Sequence, residues 1–280
     1  MTESGLILVA TPIGNARDIT LRALEALREA DVLAAEDTRS LRRLMDLHGV
    51  PVAGRKMIAY HDHSSERDRT RILELMQRGQ SVVYASEAGT PLISDPGYAL
   101  VDAARDAGIG VTTAPGVSAI ITALSIAGVP TDRFFFAGFL PSAKTARRTE
   151  LRKLASIPGT LVLYESPKRL AGSLADLANI FGGDRRAAVC RELTKKFEEV
   201  RRGSLQDLSG QLSQQRVKGE IVLLVEAATE KSATEDDLRE ALSGALDRVS
   251  LKDAVSEVSE TLNAPRREVY QLALEMLGKR

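Results

Sequence analysis

The sequence predicts an α/β protein: two α/β domains followed by a small helical domain. Three observations carry this. Through residues 1–116, short apolar runs of strand type alternate with stretches of helical period. In residues 117–228 strands continue, but toward the end they follow one another without a helix between them. Residues 234–280 carry no strand signal and read as three helices.

In chain order, residues 5–11 (GLILVAT) form a continuous apolar run, followed by the turn Pro12-Ile13-Gly14-Asn15. Asp18 or Thr20 then caps a helix carrying Leu21, Leu24 and Leu27 on its apolar side. A second strand, 32–35, ends at Glu36-Asp37-Thr38-Arg39. The helix at 39–47 places Leu41, Leu44, Met45 and Leu47 on one side. A third strand, 57–60, leads into His61-Asp62-His63-Ser64-Ser65, and a helix at 67–78 stops at Gly79. The fourth strand opens the stretch SVVYASEAGTPLISDPG at 81–97. A helix at 98–106, a strand at 111–114 and Pro115-Gly116 complete this half. Strands apolar on both faces and separated by helices belong to a parallel or mostly parallel sheet. The second half opens with a small-residue helix at 117–127. Strands follow at 134–137, 161–165, 187–191, 199–202 and 221–226, with helices at 146–155 and 168–180. After a polar linker, 229–233, come helices at 235–246, 251–262 and 265–277. The short turn Asn263-Ala264 suits either a helix-turn-helix or a plain helical cap.

The composition narrows the function. With 44% hydrophobic and 27% charged residues among 280, the chain is that of a soluble globular protein. No apolar run is long enough to span a bilayer, and a cytoplasmic location is expected. One cysteine, Cys190, excludes an internal disulfide and a Cys-rich zinc site. Lys+Arg and Asp+Glu are both 38, so nucleic-acid binding has to rest on local patches. Such patches are Lys144, Arg147, Arg148, Arg152 and Lys153, and Arg39, Arg42 and Arg43; a charged helix face is the plain alternative for both. There is no Walker A motif, dinucleotide fingerprint or nucleophile elbow.

What remains is a set of small-residue loops at strand ends: 11–15, 86–97, 115–119, 138–141 and 165–167. In open α/β sheets ligands bind beyond the carboxyl ends of the strands, and small residues let the main chain approach a ligand closely. Two carboxylates, Glu87 and Asp95, sit in the longest of these loops. Asp95, beside Pro96-Gly97, reads as turn-forming.

The motifs TPIGN, SEAGTPLISDPG, PGVSA, GFLP, YESP, RELTKKFEE and KGE occur in this order over nearly the whole chain. Together they resemble the tetrapyrrole-methylase superfamily of S-adenosylmethionine-dependent methyltransferases, and within it the ribosomal RNA branch. Two positions depart from that pattern: Glu87 stands where the family usually has Asp, and Ser64 where it usually has Asn. The resemblance implies two α/β domains with S-adenosyl-L-methionine in the cleft between them, a helix-turn-helix-like C-terminal domain, and usually a homodimer. It implies 2'-O-methylation of a cytidine ribose in 16S rRNA of the small subunit, at position 1402, without a metal. It puts cofactor contacts at Pro12, Gly89, Thr90, Ile93, Ser118, Ala119, Leu140 and Ser166. For the 2'-hydroxyl, Glu87, His63 and Lys195 are the expected catalytic groups, in that order. The competing functions are a precorrin or uroporphyrinogen C-methyltransferase, and a non-catalytic ribosome-binding protein.

Overall fold

In the computed structural model, the residues described are 4–61, 63–228, 234–262 and 264–278. Asp62, Asn263 and the linker 229–233 lie outside them. Contacts divide the chain into two compact units, Met1–Ala228 and Thr229–Arg280.

The first unit holds two five-stranded sheets. One is built from β1 (Gly5–Val9), β2 (Val32–Ala35), β3 (Lys56–Ala59), β4 (Ser81–Ala85) and β5 (Val111–Ala114), in the order β3-β2-β4-β1-β5, all parallel. The helices α1 (Leu21–Glu29), α2 (Thr38–Leu47), α3 (Glu66–Gln77) and α4 (Tyr98–Asp106) make the crossovers that parallel pairing requires. Side chains alternate across the sheet. Ile7, Val9, Leu33, Ala35, Val83 and Ala85 pack under α1 and α2, whereas Leu6, Val32, Ala34, Val82 and Tyr84 pack under α3 and α4. Burial on both faces is why the inner strands β1, β2 and β4 read as unbroken apolar runs.

Caps set the helix starts. The Thr20 hydroxyl accepts from Ala23 N–H to open α1, and Ser65 with Asp68 forms a reciprocal box at α3. The α2 cap is Asp37, so this helix begins a residue earlier than expected. Two leucines assigned to apolar faces are instead exposed: Leu21 at 80% and Leu47 at 64%. They are the terminal residues of α1 and α2, where the helix has already turned away from the sheet.

α5 (Ala119–Ala127) packs on the second sheet, which runs β6-β7-β10-β8-β9. Its strands are β6 (Phe134–Phe139), β7 (Thr160–Glu165), β8 (Arg186–Arg191), β9 (Glu199–Ser204) and β10 (Ile221–Val225). Only β6 and β7 are parallel; β10 runs antiparallel between β7 and β8, and β9 pairs antiparallel with β8. One face carries α6 (Lys144–Leu154), α7 (Leu170–Phe181) and α8 (Leu205–Leu212), the last not anticipated from the sequence. The other face, with Val162, Ala188, Cys190, Val222 and Leu224, receives α5 and also Ile13 from the loop after β1. That loop therefore joins the two sheets.

The second unit is three helices, α9 (Glu235–Leu246), α10 (Leu251–Thr261) and α11 (Arg266–Gly278), closed on a core of Leu238, Leu242, Val255, Val258, Val269 and Leu272. Thr234 and Ser250 cap the first two. Pro265 stands just ahead of the third, and its carbonyl accepts from Glu268 and Val269.

Candidate functional site

A cleft of about 370 Å³ opens at the carboxyl ends of β1 and β4 and is closed by loops of the second sheet. Such a volume is within the range of small-molecule sites. Its walls combine apolar Ile13, Ala119, Phe139, Leu193, Ile221 and Val222 with polar Ser94, Asp95, Tyr164, Ser166 and Glu220.

The loop 86–97 is fixed from below. Gly89 and Thr11 exchange both backbone hydrogen bonds, at 2.9 Å each, which ties this loop to the one after β1. The Thr90 hydroxyl donates to the Val117 carbonyl at 3.0 Å, and the Ser86 hydroxyl to the Gly89 carbonyl at 2.8 Å. The Tyr84 hydroxyl, fully buried, donates to the Pro96 carbonyl at 3.0 Å. Gly97 lies above this ring at φ +128°, and a Cβ there would fall 2.8 Å from the Tyr84 ring. Leu92 and Ser94 sit at φ +72° and +61°. Across the cleft, Glu192 and Thr194 sit at φ +52° and +64°. Left-handed backbone at non-glycine residues gathers at ligand sites, where the surrounding structure has to enforce it.

The wall from the second sheet is organised by Glu165, which is buried. One of its carboxylate oxygens accepts from Ser166 N–H at 2.7 Å and from Arg169 Nε at 2.8 Å; the other accepts from the Ser173 hydroxyl at 2.5 Å. Arg169 in turn donates to the Leu140 carbonyl at 3.0 Å. One buried carboxylate thus fixes both the GFLP and the YESP loops. Burial, with the Asp95 charge adding to it, pushes the Tyr164 phenol up to about 12.

The structure separates the expected cofactor-contacting residues. Ala119 and Ser166 line the cleft, and Gly89 and Thr90 hold its floor loop. Ser118 precedes α5 and its carbonyl accepts from Thr122. The Leu140 side chain lies in the core of the second sheet. Ile93 is exposed, and Pro12 lines a second recess with Thr11, Gly14, Ser40, Arg43, Leu47 and Glu87. Of the expected catalytic groups, Glu87 is therefore in that recess, where its N–H donates to Glu36 at 3.4 Å. His63 is exposed in the turn after β3, with its ring edge-on to His61 at 6.2 Å. Lys195 is the one of the three tied to the cleft: its ammonium lies 2.9 Å from Glu192 and 3.0 Å from the cleft residue Glu220. Burial lowers the Lys195 pKa, but its hydrogen bonds to Glu192 and Glu220 outweigh this and leave it raised. The side chain also packs on Gly14, where a Cβ would fall 2.4 Å from its Cγ.

Asp95, read from the sequence as turn-forming, lines the cleft. Tyr164, Glu165 and Glu220 were not singled out, although YESP and KGE contain them. Among the described residues no group of three or more His, Cys, Asp or Glu is placed to hold a metal. The basic helix α6 is less open than its sequence implies. Arg147 is buried against Asp176 at 2.6 Å, Arg148 meets the same carboxylate at 2.7 Å, and Lys153 pairs with Glu150.

Two α/β halves with a ligand cleft between them, in these topologies, define a methylase fold. Residues 5–209 match the tetrapyrrole (corrin/porphyrin) methylases, and residues 232–277 the RsmI C-terminal HTH domain. Among solved structures, the methyltransferase CobJ superposes at a TM-score of 0.61 with 21% identity, over 80% of this chain and 95% of that one. A uroporphyrin-III C-methyltransferase from Thermus thermophilus, complexed with S-adenosylhomocysteine, superposes at 0.54 with 20% identity, over 79% and 96%. At these identities the likeness is one of fold. The sequence relatives are nearer. The ribosomal RNA small subunit methyltransferase I of Mesorhizobium japonicum is 44% identical, over 98% of this chain and 92% of its own. That of Pseudomonas aeruginosa is 42% identical over the full length of both. The chain belongs to the ribosomal RNA small subunit methyltransferase I family, within the tetrapyrrole methylases.

Proposed function

We propose that this protein uses S-adenosyl-L-methionine to methylate the 2'-hydroxyl of a cytidine ribose in 16S rRNA of the small ribosomal subunit, at position 1402. The observation that carries the reading is the cleft between the sheets, in a chain matched end to end by relatives named for that rRNA. The donor set suits the cofactor: Asp95 and Glu220 offer negative charge to a sulfonium and an amine, and Ile13, Ala119, Phe139 and Leu193 offer apolar walls to an adenosyl group. The cofactor contacts are assigned to Pro12, Gly89, Thr90, Ile93, Ser118, Ala119, Leu140 and Ser166, most of them through main chain or packing.

S-adenosylmethionine supplies an activated methyl group on a good leaving group. The protein's part is alignment, which in well-oriented cases supplies roughly 7–11 kcal/mol, and handling of the hydroxyl proton, where a positioned base adds roughly 10²–10⁴-fold. Glu87, His63 and Lys195 remain the groups assigned to the 2'-hydroxyl. With its pKa raised by two carboxylates, Lys195 keeps its proton at neutral pH, so its role is to orient the hydroxyl or a phosphate. Proton removal falls to Glu87 or His63. Residues 1–116 and 117–228 are the two α/β domains of this reading, and 234–280 the helical one. We place the protein in the cytoplasm as a homodimer. The exposed phenylalanines of edge strand β6, Phe134 and Phe135 at 45% each, favour association; a particle of 30.3 kDa by light scattering refutes the dimer.

The test offers labelled methyl donor and purified protein two acceptors: small subunits lacking the modification, and a uroporphyrinogen. Label in the ribose of one cytidine supports the reading. Label in the tetrapyrrole alone, or in neither, sinks it.

A further inference from the structure

The hairpin between β8 and β9 carries a phenylalanine that no core uses. Arg191 pairs with Glu199 at the strand ends, so residues 192–198 form its loop. The loop is closed on itself. Lys195 N–H donates to the Glu192 carbonyl at 3.0 Å, Glu198 N–H to the Lys195 carbonyl at 3.1 Å, and Thr194 N–H to the Glu198 carboxylate at 2.7 Å. It is also tied to the loop after β1, where Asn15 N–H donates to the Thr194 hydroxyl at 3.1 Å. On this frame Phe197 is 63% exposed, and among the described residues it packs in none of the apolar clusters. The Lys196 ammonium lies 5.6 Å from its ring centroid, within cation–π reach.

A lone exposed apolar side chain needs no explanation by itself; this one stands at the rim of the cleft. Leu193 of the same loop lines the cleft and packs with Ile13 and α5, on the cleft's own face of the second sheet. The Lys195 ammonium bonds to the cleft residue Glu220. Phe197 follows two residues later, so its Cα is at most about 7.6 Å from that of Lys195. An open ring beside a cation suits a group that presents a flat π-surface with negative charge attached, and a nucleotide has both. We propose that Phe197 is a stacking platform for a base of the acceptor RNA strand just outside the cleft; this rests on the rRNA reading above. Every base has a π-face, so the contact positions the strand and selects no sequence.

The chain contains no tryptophan, so Phe197→Trp makes its indole the only one. The full-length variant is titrated with a labelled single-stranded 16S rRNA fragment carrying the acceptor cytidine, without methyl donor. Stacking should quench the indole emission, saturating at the Kd that anisotropy of the RNA gives. Phe181→Trp is the control. Its ring also has a cation over it, Arg185 at 4.8 Å, but it ends α7, the helix that starts beside the cleft residues Ser166 and Pro167. Its emission should not change. Phe197→Ala is expected to lose roughly five- to a hundredfold in affinity, by the same factor at every salt concentration because the ring carries no charge. Phe197→Tyr should bind as wild type, and Phe197→Leu, apolar but without a π-face, as Phe197→Ala. An unquenched indole in RNA-bound Phe197→Trp, or wild-type affinity in Phe197→Leu, overturns the proposal and leaves the rRNA reading intact. So does a Phe197→Ala protein that binds the fragment normally but not small subunits, since the ring then meets a ribosomal protein. One altered only in its oligomeric state also overturns it, since the ring then meets a second copy. A wild-type protein that neither binds nor methylates the fragment or small subunits overturns both.

Discussion

At the scale of single residues, Glu165 carries the most structure for its size. Its carboxylate accepts from Ser166, Arg169 and Ser173, and through Arg169 it holds the Leu140 carbonyl. Removing one partner of a fully buried ion pair costs about 3–5 kcal/mol. Arg169 keeps some exposure, so Glu165→Ala is expected to cost about 2–3 kcal/mol in urea unfolding and to weaken methyl-donor binding measured by calorimetry. Equal donor affinity in the variant refutes the role given to these loops. Tyr164 makes a pH prediction. Its phenol ordinarily ionises near 10 and is raised to about 12 in the fold. Between those values the unfolded chain has lost a proton that the native chain retains, so stability falls as pH rises through this window. In near-ultraviolet absorbance, Tyr164→Phe should remove one tyrosine's share of the phenolate signal that appears at the top of this window; an unchanged signal contradicts the assignment. The sequence displayed these residues but not their roles. Glu165, Asp95 and Glu220 are far apart along the chain, and nothing local distinguishes a carboxylate that lines a cleft from one that shapes a turn.

At the scale of elements, the strand and helix pattern was largely legible. β2 (Val32–Ala35), α4 (Tyr98–Asp106), β5 (Val111–Ala114) and α9 (Glu235–Leu246) fall on the expected residues, because apolar runs, caps and glycine stops are all local signals. The exposed Leu21 and Leu47 mark where helical period fails as a guide, at terminal positions that no longer face the sheet. Arg147 marks where charge fails as a guide, since a cation on a surface-like helix turns out to lock α6 to α7. Asp176, which it meets, is raised by burial but brought below the usual carboxylate range by the Arg148 and Arg147 hydrogen bonds. Its stabilising effect is present above the ordinary carboxylate pKa and is lost as pH falls through the depressed value. Asp176→Ala should cost about 3–5 kcal/mol at neutral pH, and the gap to wild type should narrow in acid; a gap constant with pH counts against the ion pair as its source. The loops have their own test. Gly219 sits at φ +91°, and a Cβ there would fall 2.4 Å from the Glu192 carboxylate. Gly219→Ala should displace Glu192 from Lys195 and raise KM for both substrates, leaving the far-ultraviolet spectrum unchanged.

For the whole molecule, one geometry explains why the loops after the strands matter. Parallel strands of the first sheet deliver TPIGN and SEAGTPLISDPG to the same end, and Ile13 carries that end into the face of the second sheet. The cleft is the space left between, and its two walls come from sequence segments far apart, which is why only the family resemblance pointed to the cofactor. In the function proposed above, this cleft brings a methyl donor to a cytidine ribose. The measurement that meets it most directly is mass spectrometry of nucleosides from 16S rRNA, after small subunits lacking the modification are incubated with the protein and S-adenosylmethionine. 2'-O-methylcytidine at one position is the expected product, strongly reduced by Lys195→Ala. Methylation confined to a base, or no methylated nucleoside at all, contradicts it.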